Sequence, residues 1–272
     1  MDYRKIADGI QRYIENKPND HTAYLDLLSL CRQWEEEDFQ SAHDLNGELR
    51  RLCARQLHLV SPKEADKFYE AWRKSLLFDA PYKFDAFMTY IELDRKPEKR
   101  FYAPRRHYLK PMVQGFQDVL DGKLRLLTIS MPKRAGKSQT GINFVNMLSG
   151  KYPDRSTLME GTGDDLVKSF YNGCLEYLTT PNEYLFYDVF PESRLVQTGA
   201  DTKIINLKSK SRFPTIMCRS IDARQVGLSE ATNVLYLDDC VEGREEAKNR
   251  QRLDDKWEVI SGDIMGRAIE GT

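Results

Sequence analysis

The residues best suited to chemistry lie in one short stretch, Met131-Pro132-Lys133-Arg134-Ala135-Gly136-Lys137-Ser138, preceded by the apolar run Leu126-Leu127-Thr128-Ile129-Ser130. The pattern reads as a strand, a tight loop and a helix beginning near Lys137. That order is what a phosphate cradle requires. Successive backbone N–H groups converge on one anion, Lys137 reaches the β- and γ-phosphates, Ser138 ligates Mg²⁺, and Gly136 lets the backbone approach phosphate closely. The usual signature has a further glycine five residues before Gly136, where this chain carries Met131, so the match is to a degenerate form. The competing reading is a basic surface turn between a strand and a helix.

About one hundred residues later comes Asn233-Val234-Leu235-Tyr236-Leu237-Asp238-Asp239-Cys240-Val241-Glu242, an apolar strand ending in carboxylates. A phosphoryl-transfer site needs a carboxylate to organise Mg²⁺ and another to orient or deprotonate the attacking water. Asp238 takes the first role, holding the metal through water. Asp239 and Glu242 both suit the second by spacing, with Asp239 preferred because it directly follows the metal residue. Solvated acids at an ordinary strand end are the bland alternative, but the joint occurrence with the phosphate loop favours the functional reading.

These residues need a scaffold. The first hundred residues show helical periodicity: Tyr24, Leu27, Leu28, Cys31 and Trp34; Leu45, Leu49, Leu52 and Cys53; Phe68, Trp72 and Leu76; Phe84, Phe87, Met88 and Ile91. Ser61-Pro62-Lys63-Glu64 has the makings of a capping box. The expectation is a small all-helical N-terminal domain, residues 1–100, closing in the charged linker Asp94 to Arg100. Beyond it, short β-branched runs alternate with helical stretches. They predict strands at Leu124 to Ser130, Ser156 to Gly161, Lys203 to Lys208, Pro214 to Arg219 and Val234 to Asp238, and Lys203 to Arg219 can form a hairpin. The expected fold is α/β: over residues 101–272, a P-loop NTPase domain with a mainly parallel sheet flanked by helices.

Composition narrows the partners. With 41 basic and 42 acidic residues the net charge is −1, so any DNA contact must come from a local patch. No apolar stretch approaches the roughly 20 residues a membrane helix needs, and Asp2, Arg4 and Lys5 open the chain, which predicts a cytosolic protein with no membrane partner. The five scattered cysteines and four histidines show no metal spacing.

Taken together the motifs resemble the large terminase subunits of tailed bacteriophages, the motors that pump double-stranded DNA into a capsid. Four stretches carry the resemblance. Phe101 to Leu109 stands where that family has an adenine-recognition segment. Met131 to Ser138 is similar to its glycine-poor, arginine-containing Walker A loop. Asp222 to Ser229 corresponds to a polar turn before the acidic strand, and Val234 to Ala247 to the acidic strand and following helix.

The resemblance implies an ATPase with ATP and Mg²⁺ as cofactors. The nucleotide would be contacted by Lys133, Arg134, Ala135, Gly136, Lys137, Ser138 and Gln139, and its adenine by Arg105, Arg106, Tyr108 and Gln114. Ser138 and Asp238 would hold the metal. Catalysis would fall to Asp239, Glu242, Arg134 and Lys137, with Arg134 stabilising the γ-phosphate. Arg224 can serve as an arginine finger or as half of a salt bridge, and Lys208, Lys210 and Arg212 as a DNA-facing turn or a solvated hairpin tip. The implied partners are double-stranded DNA, a portal protein, a small terminase subunit and further copies in a ring, in the cytoplasm of an infected host cell. The chain stops at Thr272, roughly where the family continues into a coupling motif and a nuclease domain, so no nuclease activity is expected. A helicase-like ATPase and a non-catalytic scaffold module are the alternatives.

Overall fold

The computed structural model describes residues 1–221, 230–241 and 243–268. The chain divides into two compact units, Met1–Tyr90 and Ile91–Thr272. The charged stretch from Asp94 to Arg100 therefore belongs to the second unit, where Arg95 and Lys99 pair with Glu183 at 3.1 and 2.7 Å.

The first unit is five helices: α1 (Tyr3–Asn16), α2 (His21–Trp34), α3 (Phe39–Leu57), α4 (Pro62–Asp79) and α5 (Phe84–Tyr90). Aspartates cap the first three, Asp2, Asp20 and Asp38 each accepting a backbone N–H from the first turn. At α4 the capping box forms, with Pro62 in the first turn. The predicted stripes become core: Tyr24, Leu27, Leu28, Cys31, Leu49, Cys53 and Phe68 are all buried, and Trp34, Leu52 and Trp72 pack against them. Tyr24 meets Phe68 edge-on at 5.1 Å.

The second unit contains α6 (Arg106–Leu120), α7 (Lys137–Lys151), α8 (Asp164–Thr179), α9 (Phe186–Val189), α10 (Gly243–Lys248) and α11 (Arg250–Glu258). Its five strands are β1 (Thr157–Gly161), β2 (Leu195–Gly199), β3 (Ile204–Leu207), β4 (Ile216–Ser220) and β5 (Val234–Asp238). They form one small sheet in the order β2-β3-β4-β1-β5. β1 runs parallel to β4 and β5, while β3 runs antiparallel to β2 and β4.

This corrects the expected fold. The structure is predominantly helical with a small mixed sheet, and a large P-loop NTPase domain on a mainly parallel sheet is not what the chain forms. Connection length explains the antiparallel half. Only residues 200–203 join β2 to β3 and only 208–215 join β3 to β4, and a parallel crossover needs a dozen residues or more. The predicted strand at Leu124 to Ser130 is likewise absent. The segment joins no ladder among the described residues, and Leu126 is 71% exposed. Its one packed side chain of note is Leu127, lying against Gly115 of α6. An apolar, β-branched run is compatible with a strand, but it becomes one only where a neighbour supplies hydrogen bonds. β2, which alternates between half-buried and exposed, escaped the sequence reading.

Helix α7 is the centre of the second unit, buried without interruption from Thr140 to Gly150. Phe144 packs on Phe116 of α6 at 4.5 Å. On β5, pleating sends alternate residues to opposite faces. Tyr236 turns to α7, while Leu235 and Leu237 pack with Ile221, Ile260 and Ile264 of the π-helical turn Val259–Ile264 that follows α11. No described helix is long and apolar enough to cross a membrane.

In the first unit, a buried polar cluster ties α3 to α4. His43 Nδ1 lies 2.5 Å from Asp79 Oδ1 and its Nε2 3.2 Å from Glu35 Oε1, Arg50 pairs with Asp79, and Asn46 donates to the Ser75 carbonyl at 2.9 Å. Burial disfavours the Asp79 carboxylate, but His43, Arg50 and Lys83 outweigh it and hold its pKa below the usual value. A depressed carboxylate stabilises the fold above the unfolded-state pKa and loses that contribution as pH falls through the folded value. Asp79→Ala leaves Arg50 and His43 without their shared anion and is expected to cost roughly 3–5 kcal/mol. Urea unfolding at neutral pH should show it, and the gap between wild type and variant should shrink on acidification below the ordinary carboxylate range.

Candidate nucleotide site

The site is assembled where the loop before α7 meets the end of β5. Two residues of the loop adopt left-handed backbone, Arg134 at φ 64° and Gly136 at φ 103°. The turn closes with a hydrogen bond from the Ala135 N–H to the Pro132 carbonyl, 3.2 Å. Gly136 serves as N-cap of α7 and supplies no side-chain cap. The first-turn N–H groups of a helix have no acceptor within it, so those of Lys137, Ser138 and Gln139 point outward toward any anion placed there.

Glycine is required at 136 for two reasons. Its φ is one that side chains disfavour, and a Cβ there would lie 2.8 Å from Phe101 Cζ. Phe101, from the segment that leads into α6, and Leu109, within α6, thus pack on the loop.

Lys137 connects the two motifs. Its Nζ is 2.8 Å from Asp238 Oδ1 and 2.6 Å from Asp239 Oδ1. Burial disfavours the charged lysine, but the contacts with both carboxylates outweigh it and raise its pKa. Asp238 is 1% exposed, and the ion pair aside, neither of its oxygens has a hydrogen-bond partner among the described residues. Asp239 is exposed, with left-handed backbone at φ 42°, and its carbonyl accepts from Thr162 Oγ1 at 2.6 Å. Beneath them, burial and the Asp238 and Asp239 charges push the Tyr236 hydroxyl pKa up.

A buried carboxylate whose Oδ1 meets the Lys137 ammonium and whose Oδ2 has no hydrogen-bond partner among the described residues could also serve a hard cation. The described residues include no group of three or more His, Cys, Asp or Glu that could hold a metal alone. Mg²⁺ would fit such a place only if one or two protein oxygens held it and phosphate completed its shell, the usual manner of nucleotide magnesium. Asp238 and the half-buried Ser138 on the first turn of α7 are the protein donors at hand.

The other predicted residues fall as follows. Lys133 and Arg134 are exposed, with no side-chain partner among the described residues, and Ala135 is half-buried in the turn. Gln139 is turned inward: its Nε2 donates to Tyr177 Oη at 3.1 Å, Tyr177 stacks on Tyr184 at 4.0 Å, and Arg95 donates to Tyr184 Oη at 2.5 Å. Arg105 lies over Phe101, its guanidinium 5.2 Å from the ring centroid, and donates to the Phe101 carbonyl at 3.1 Å. Arg106 and Tyr108 are exposed on the first turn of α6. Gln114 is exposed and engages Asp118 one turn on, at 3.0 Å. In the basic turn, Lys208 is paired with Asp154 at 2.9 Å. Glu242 and the stretch Asp222 to Ser229, with Arg224, lie outside the described residues.

Two residues had no assignment from sequence. Phe101 opens the Phe101 to Leu109 stretch, but nothing in its spacing marks it as the residue that meets Gly136. Glu92 is 3% exposed and accepts the N–H groups of Phe101 and Tyr102. Burial raises its pKa, against the pull of those N–H groups and of Arg95 and Arg100.

No protein-family model matches the chain, and neither a curated protein nor a solved structure matches it.

The junction of α7 with β5 is tight enough to test. A Cβ at Gly141 would fall 2.2 Å from Tyr236 Oη and 2.4 Å from Cζ. Gly141→Ala should force α7 away from β5 and destabilise by about 1–3 kcal/mol, the usual cost of overfilling a packed interior. The thermal midpoint should fall by several degrees. Adding Tyr236→Phe, which deletes the clashing oxygen, should recover part of it.

Proposed function

We propose that this chain binds ATP with Mg²⁺ at the loop 131–138 and the end of β5, hydrolyses it, and serves as a motor domain driving double-stranded DNA into a viral procapsid. The observation that carries the nucleotide reading is the meeting of Lys137 with Asp238 and Asp239, residues about a hundred positions apart. The reading rests on that local geometry and not on the sheet. The DNA-packaging part rests on the terminase resemblance of the loop, the acidic strand and Phe101 to Leu109. It carries with it a portal protein, a small terminase subunit, a ring of copies and the host cytoplasm.

In this reading the triphosphate lies against the first-turn N–H groups of α7, and Lys137 transfers part of its pairing from the carboxylates to the β- and γ-phosphates. Mg²⁺, held by Ser138 and Asp238, neutralises phosphate charge. Asp239, released from Lys137, accepts a hydrogen bond from the attacking water and orients it; Glu242 is the second candidate. Arg134, exposed at the tip of the turn, is placed to offset charge developing on the γ-phosphate. Its left-handed backbone is a strained conformation for a residue with a side chain, of the kind found at ligand-binding turns.

Titration of a slowly hydrolysed ATP analogue should give saturable, Mg²⁺-dependent binding. Lys137→Ala is expected to abolish it, and Asp238→Ala to remove the metal dependence. Steady turnover, measured with portal and DNA present, should drop at least a hundredfold in Asp239→Ala if that carboxylate orients the water. Absence of analogue binding to folded wild-type protein would sink the ATPase reading and leave the non-catalytic scaffold.

A further inference from the structure

The loop 131–136 has little internal support. One backbone hydrogen bond closes it, two of its residues are left-handed, and its basic side chains face solvent. What holds it must come from outside, and the contact at its most constrained point is the Phe101 ring against Gly136.

Phe101 is itself held at both ends. Its N–H donates to both Glu92 oxygens, at 3.1 and 2.9 Å, and the Tyr102 N–H donates to Oε2 at 2.9 Å. Its carbonyl accepts from Arg105, whose guanidinium also covers the ring. A carboxylate taken out of water is retained only where hydrogen bonds and charge compensate it. Here the compensation is two N–H groups and Arg95 at 3.7 Å, so the Glu92 side chain has one well-defined place.

We infer that Glu92 is a positioning residue for the phosphate loop: by fixing the Phe101 backbone it seats the Phe101 ring on Gly136, and so sets the turn from which Lys137 and Ser138 enter the site. Its effect on nucleotide rests on the reading above; its effect on the loop does not. Phe101 in this role braces the loop and leaves base recognition to other groups.

Two variants of the full chain test this. Glu92→Gln keeps the shape but puts an amide donor against N–H donors. Phe101→Leu removes the ring and leaves Glu92 in place, which serves if the first variant folds poorly. The loop is read by limited tryptic cleavage after Lys133 and Arg134, compared with cleavage after Lys248 as an internal control. The site is read by the affinity of an ATP analogue and of inorganic tripolyphosphate, each with Mg²⁺. Both variants should be cut faster at the loop, and both ligands should weaken by about tenfold and by equal factors, as expected for losing hydrogen bonds to a charged group. The double variant should be no worse than the weaker single one, since both act through one contact. Unchanged cleavage and affinity in both variants would overturn the inference and leave the nucleotide reading standing. Loss of ATP-analogue binding with tripolyphosphate spared would also overturn it, assigning the ring to the base. If wild type binds neither ligand, faster loop cleavage in the variants still supports the positioning role while the nucleotide reading falls.

Discussion

The second unit turns on a single ammonium group placed between two carboxylates. Lys137 begins the buried helix α7, Asp238 ends β5 and Asp239 follows it, so their contact joins helix to sheet. Asp238 at 1% exposure would be costly without a cation beside it. The same contact requires α7 to lie close against β5, which is why Gly141 has only a hydrogen where it faces Tyr236. Charge pairing and close packing are thus two aspects of one constraint.

That arrangement also makes the contact exchangeable. Lys137 is held by electrostatics and not by enclosure, one of its partners is solvent-exposed, and the helix terminus beside it offers N–H donors with no acceptor of their own. A triphosphate with its metal presents the lysine with more negative charge and the carboxylate with a cation. Near the first turn of α7, Phe101 lies against Gly136 with its N–H held by Glu92, and a chain of contacts runs from Arg95 through Tyr184 and Tyr177 to Gln139.

Legibility followed the range of the interactions. The helices of the first unit could be read because apolar spacing and caps are local: Asp38 and Ser61 each act within three residues. β5 and its carboxylates were readable for the same reason. The sheet was not. Leu124 to Ser130 has the composition of a strand and pairs with nothing among the described residues, while β2, with Gly199 and a polar alternate face, pairs with β3. Pairing depends on which edge is free and how long each connection is, and neither is written in the strand's own residues. Glu92 shows the limit most sharply, since only its burial beside the Phe101 and Tyr102 N–H groups makes it a backbone anchor.

By itself, the sequence determined the helical stripes from Tyr24 to Met88, the start of α7 after Gly136, and the apolar strand ending at Asp238. Those properties follow from residue type and short spacing. Tertiary structure alone decided that the sheet is mixed, that Gln139 faces Tyr177, that Gln114 pairs with Asp118, and that Phe101 rests on the phosphate loop. Each of these depends on how packing positions side chains and backbone groups relative to one another, and packing density and burial arise only once the second unit has closed around α7.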